Sequence, residues 1–103
     1  MLIDIVKNAK DFYVRKKALT KIRDEGALID FAKNDRSTHL RLVAIGKISD
    51  ETALIEIAKS DKDISVRKKA VMKLTDKEIL TDLAQNDREE SIRTAAKKRL
   101  DGL

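Results

Sequence analysis

Leu54-Ile55-Glu56-Ile57-Ala58-Lys59-Ser60-Asp61, followed five residues on by Val66-Arg67-Lys68-Lys69-Ala70, is the stretch that decides the fold. Apolar residues at 54, 57 and 58 fall at i, i+3 and i+4, the spacing of a helix face. Val66, Ala70 and Leu74 follow at steps of four, and Val71 widens that stripe. Asp50 stands just before the first stripe, where its carboxylate can accept the free N–H groups of an opening helical turn. Residues 60–63 are polar and read as a turn. One unit is therefore a helix of about nine or ten residues, a turn, and a second helix over 65–74.

The same unit recurs. It starts at Leu2, Leu28, Leu54 and Leu80, an interval of 26 each time. Each copy carries a hydrophobe–arginine pair: Val14-Arg15, Leu40-Arg41, Val66-Arg67, Ile92-Arg93. Each then carries an alanine: Ala18, Ala44, Ala70, Ala96. A fixed period of this size is the mark of a stacked repeat array. Repeats 2–27, 28–53, 54–79 and 80–103 fill the chain as a single domain, 1–103, and leave no room for a separate catalytic domain. Helices this short are marginal alone, so each must be held by its partner and by the next unit. The alanine column lets neighbouring helices approach closely. Asp24 and Asp76 hold the capping place of Asp50, and Thr75 with Glu78 has capping-box spacing. The fourth unit carries Thr81 and Lys97 where other copies are apolar and Glu90 in the place of Phe12 and Ile64, and the first has Ala9 where later copies have aspartate. These departures suit polar end units, so a complete small array is expected, with a piece of a longer array as the alternative.

Composition narrows the class further. Of 103 residues, 42% are hydrophobic and 40% charged, with a net charge of +5. Periodic placement of that apolar share argues against disorder. The three aromatics, Phe12, Tyr13 and Phe31, leave the packing to aliphatic side chains. Cysteine is absent, which removes disulfides and thiolate chemistry and suits a reducing, cytoplasmic setting. No apolar run approaches the roughly 20 residues a bilayer requires, so no membrane association is expected. The opening residues lack the basic region and apolar core of a signal peptide.

Leu54 to Asp61 and Val66-Arg67-Lys68-Lys69-Ala70 resemble HEAT-like repeats: two short helices, an aspartate in the turn and Val-Arg opening the second helix. The L-x-x-[IL]-A-x-x-D and V-R pattern is also similar to the variant leucine-rich repeats. The period is shorter than a usual HEAT unit, and the linker Leu74-Thr75-Asp76-Lys77-Glu78 lacks the proline common in the variant family. The resemblance covers all 103 residues. It implies an all-α, right-handed superhelical solenoid of four two-helix HEAT-like repeats whose second helices line a concave face. It implies an interaction role, as in adaptors, transport factors and DNA-binding repair proteins, without naming a partner.

Two sets of residues stand out. Arg15, Arg41, Arg67 and Arg93 recur with the turn aspartates Asp35, Asp61 and Asp87, and a charge-assisted structural ladder is expected in preference to phosphate binding. The second helices also gather lysine, at Lys16, Lys17, Lys21, Lys47, Lys68, Lys69, Lys73, Lys97 and Lys98. The first helices mix signs in i, i+3 pairs such as Asp4–Lys7, Asp30–Lys33 and Glu56–Lys59. Leu42, Val43 and Gly46 interrupt the basic row, with Met72 nearby in register, a composition of interface centres. The candidate contact surface is therefore Lys16, Lys17, Leu42, Val43, Lys68, Lys69 and Met72. Against nucleic acid, no aromatics interleave with these lysines.

Chemistry finds no anchor. His39 is alone, in the turn entering a second helix, and reads as a surface or capping residue. Carboxylate pairs Asp24-Glu25, Asp50-Glu51 and Glu89-Glu90 stand at helix starts, where the dipole favours them. Gly26, Gly46 and Gly102 are isolated and make no phosphate loop. The expected protein is non-catalytic, without cofactor or metal, a monomer or a weak homodimer through Leu42 and Val43. It acts as a scaffold or adaptor whose basic surface meets an acidic protein. The runner-up is binding of nucleic-acid phosphates, and the third reading is a structural or designed scaffold with no specific partner.

Overall fold

The computed structural model describes residues 1–103. It holds eight α-helices and no strand: α1 (Leu2–Asn8), α2 (Phe12–Lys21), α3 (Glu25–Asn34), α4 (Thr38–Lys47), α5 (Glu51–Ser60), α6 (Ile64–Val71), α7 (Lys77–Asn86) and α8 (Glu90–Asp101). The chain divides into two compact units, Met1–Ile48 and Ser49–Leu103, with the break after α4, near the end of the second sequence copy. In the first unit α1 packs on α2, α3 on α4, and α2 on α4. In the second, α5 packs on α6, α7 on α8, and α6 on α8.

The helices start where short polar side chains can accept orphan N–H groups. Asp24 accepts from Gly26, Asp50 from Ala53, and Asp76 from Glu78 and Ile79. Asp11, Ser37 and Asp63 do the same for α2, α4 and α6. Each such cap stabilises by about 1 kcal/mol. The expected Thr75–Glu78 capping box does not form. Asp76 takes the cap, and the Thr75 hydroxyl turns to Glu51 Oε1 at 3.2 Å. Glu51 Oε2 accepts the backbone N–H of Thr75 at 2.8 Å and of Asp76 at 3.0 Å, so this carboxylate ties the start of α5 to the turn before α7. Glu89 precedes α8 without a side-chain cap bond.

The helices end without left-handed residues. Ala9, Ile22, Asp35, Ile48, Asp61 and Asp87 are extended at the C-caps, and no residue has positive φ. α6 stops at Val71, short of the expected 74; Met72 to Leu74 continue as turns, with Leu74 N–H on the Val71 carbonyl.

Each unit has an aliphatic core. In the first, Val6, Leu19, Leu28, Leu40 and Ile45 are buried, joined by Phe31, the one buried aromatic. In the second, Leu54, Ile57, Val66, Val71, Leu80 and Ile92 fill the same role. Ala18, Ala44, Ala70 and Ala96 are all buried. A larger side chain there would force the crossing helices apart. Long polar side chains close the edges. Lys47 Nζ donates to the Thr20 carbonyl at 2.9 Å, and Arg99 Nε to the Leu74 carbonyl at 2.7 Å.

Candidate interaction surface

The arginines of the repeat point inward. In the first unit Arg15 Nε donates to the Val6 carbonyl and Nη2 to Asp35 Oδ2, both at 2.5 Å. Asp35 Oδ1 accepts the Ser37 N–H at 2.8 Å, and the Asp35 carbonyl accepts Arg41 Nη1 at 2.9 Å. The second unit repeats this. Arg67 Nε donates to the Ala58 carbonyl at 2.7 Å and Nη2 to Asp87 Oδ2. Asp87 Oδ1 accepts the Glu89 N–H at 2.9 Å, and the Asp87 carbonyl accepts Arg93 Nη1 at 2.6 Å. Each aspartate thus shapes its own turn with one oxygen and holds the arginine of the preceding helix pair with the other. Asp61, the third turn aspartate, caps α5 and accepts the Asp63 N–H at 2.9 Å.

Arg15, Arg41 and Arg67 are buried and Arg93 half-buried, so the row offers little purchase to a phosphate. Arg67 is only 1% exposed, and its Nη1 meets no protein acceptor. At Asp87, burial pushes the carboxyl pKa up. The hydrogen bond from Arg67, the Glu89 N–H, and the charges of Arg67 and Arg88 outweigh it and hold the group below its ordinary value. A buried pair of this kind is costly to break and worth little when formed, because desolvation offsets the attraction.

The outer surface of the second helices carries different chemistry in the two units. In the first, Lys17 and Gly46 are exposed, while Lys16, Leu42 and Val43 are half-buried. Half-burial of Leu42 and Val43 leaves less of the expected apolar patch open than the sequence suggested. Tyr13 is 77% exposed and sets its ring edge-on to Phe12 at 5.4 Å and 83°. Phe12 also meets the His39 ring at 5.3 Å. His39 lies exposed in the first turn of α4, a surface residue as expected; Ser37 is the cap, and the His39 ring contacts Phe12. Tyr13 is one helical turn from Lys16 and Lys17 on the same face. An exposed aromatic therefore stands one turn before the lysines of α2, although none interleaves with them.

In the second unit Lys68, Lys69 and Met72 are exposed. Lys68 and Met72 join Glu90, Ser91, Thr94, Ala95 and Lys98 along a groove between α6 and α8, about 400 Å³ in volume. Lys69 lies outside it. Of the seven candidate contact residues, the fold gathers these two into one concavity and leaves four in the other unit. Lys98 belongs to the lysine row expected from sequence, whereas Glu90, Ser91, Thr94 and Ala95 lie outside the candidate contact residues; the 26-residue register carries the signal for this groove. It sets Thr94 in the place of Lys68, and Lys98 in the place of Met72.

No group of three or more His, Cys, Asp or Glu side chains is placed to hold a metal ion. No helix is long and apolar enough to cross a membrane. No family model, curated protein or solved structure matches this chain.

Proposed function

We propose that this protein is a non-catalytic interaction module that presents a basic, concave surface of its second helices to an acidic protein surface. The observation that carries the reading is the separation of its cations. Arginines at the fixed repeat position are committed to internal carbonyls and aspartates, while Lys17, Lys68, Lys69, Lys97 and Lys98 are exposed on α2, α6 and α8. A concentration of exposed lysine on the second helices would steer acidic partners and raise their encounter rate. The reading includes a finer architecture, four HEAT-like helix pairs continuing as one right-handed superhelical array. The 26-residue register and the recurring arginine–aspartate tie support it.

The test is fluorescence anisotropy with labelled polyglutamate and with mixed-sequence DNA and RNA oligonucleotides, at low and near-physiological salt. Polyglutamate binding that outlasts oligonucleotide binding as salt rises, and is lost in a Lys68→Glu, Lys69→Glu double variant with unchanged circular dichroism, supports the proposal. Lost helix in that variant would sink the surface assignment. A second reading, nucleic-acid binding, is favoured by one feature, the exposed Tyr13 ring beside Lys17, which could stack a base. Oligonucleotide binding that survives near-physiological salt and falls on Tyr13→Ala would put that reading first.

A further inference from the structure

The groove between α6 and α8 is not a uniform lysine field. Its floor is Met72, 37% exposed, and Ala95, and Lys68 forms part of its lining. Along α8 the charge changes sign, from Glu90 at one end to Lys98 at the other, with Thr94 between. At 1.5 Å rise per residue, those eight positions span about 12 Å. We infer that this groove takes a short extended segment of a partner protein: a carboxylate toward Lys98, an aliphatic side chain over Met72 and Ala95, and a basic residue toward Glu90. Twelve ångströms corresponds to about four extended residues. This rests on the protein-binding reading above and names the kind of segment bound.

Charge complementarity selects that occupant. Lys98 favours a carboxylate at one end and Lys68 adds positive charge to the lining, while Glu90 repels a continuous run of phosphates at the other end. The groove has no aromatic lining on which bases could stack. An apolar floor rimmed by charge is the arrangement of a contact centre, and the flexible thioether of Met72 can adapt to aliphatic side chains of different shape.

The experiment uses the full chain and a fluorescein-labelled peptide, Gly-Asp-Asp-Leu-Leu-Ser-Lys-Gly. A scrambled peptide of the same composition and a single-stranded DNA are the comparisons, all at near-physiological salt. The ordered peptide is expected to bind about tenfold or more tightly than the scramble, and Lys98→Glu to remove that preference. Glu90→Lys, also at an exposed position, should weaken the ordered peptide and strengthen the DNA. Thr94→Arg, which fills the groove from an exposed site, serves as a second block if either charge variant melts early. Failure of the ordered peptide to bind, or ordered and scrambled peptides binding alike, overturns the groove assignment. If polyglutamate binding is still lost on reversing Lys68 and Lys69, the protein-binding reading survives that failure. If DNA alone binds, both fall.

Discussion

The two units share one frame and carry two surfaces. Arg15 and Arg67 make the same pair of bonds, to a carbonyl nine residues back and to an aspartate twenty residues ahead. Around that frame the residues diverge. The first unit opens its second helices with Phe12, Tyr13 and His39 rings, and the second places Ile64, Ser65, Glu90 and Ser91 there. Burial diverges as well: Val14 and Ile5 are exposed on α2 and α1, whereas their counterparts Val66 and Ile57 are buried. Residues shared at the 26-residue interval thus make matching interior ties, and the remaining positions give each unit a different surface.

The strongest way to break this comparison is to remove the shared tie. Arg67→Ala leaves the Asp87 carboxylate and the Ala58 carbonyl without their buried partner, and should destabilise by about 3–5 kcal/mol in urea unfolding. Arg15→Ala should cost a similar amount. A loss below about 1 kcal/mol in one of them would mean that the two ties are not equivalent. The pH dependence has a definite sign. Asp87 has a depressed folded-state pKa, so its contribution is present above the unfolded-state value, about 3.9, and is lost as pH falls through the folded value. Asp87→Asn should therefore be less stable than the parent at neutral pH, with the gap closing in acid. A gap that stayed constant down to pH values well below the carboxylate range would contradict the assignment.

Next comes the alanine column. Ala70→Leu and Ala18→Leu should each cost about 1–3 kcal/mol by overpacking, read as lowered melting temperature. Smaller again is the loss of a cap: Asp76→Ala in the second unit and Asp24→Ala in the first should each cost about 1 kcal/mol. The smallest effect sharpens the comparison instead of breaking it. Thr94→Leu copies the first unit's Leu42 onto the exposed surface of α8 and should shift stability by no more than about 0.5 kcal/mol. A larger change would show that this surface is part of the packed frame.

Much of the frame was legible because its signals are local. Asp24, Asp50 and Asp76 cap helices where a short acceptor precedes an apolar stripe, and the i, i+3, i+4 spacing located all four first helices. The Thr75–Glu78 pair misled because two capping residues stood side by side, Thr75 and Asp76, and Glu51 from another helix took the threonine. The acceptors at Val6 and Ala58 left no trace in the sequence, since every residue carries a carbonyl. Lys68 and Met72 were singled out on charge and register, but the groove needs α8 beside α6, a distance between helices that no single helix encodes. Tyr13 precedes the lysines of α2 instead of lying among them, and only the helix face brings it beside Lys16 and Lys17.

The arginine–aspartate ties reach only twenty residues along the chain. During synthesis, at about 5–20 residues per second, each can close within a few seconds of its arginine emerging. Contacts this local keep the entropy of loop closure small and favour rapid folding. Order in this protein can accordingly be laid down in the direction of translation, with one helix pair locked before the next is complete.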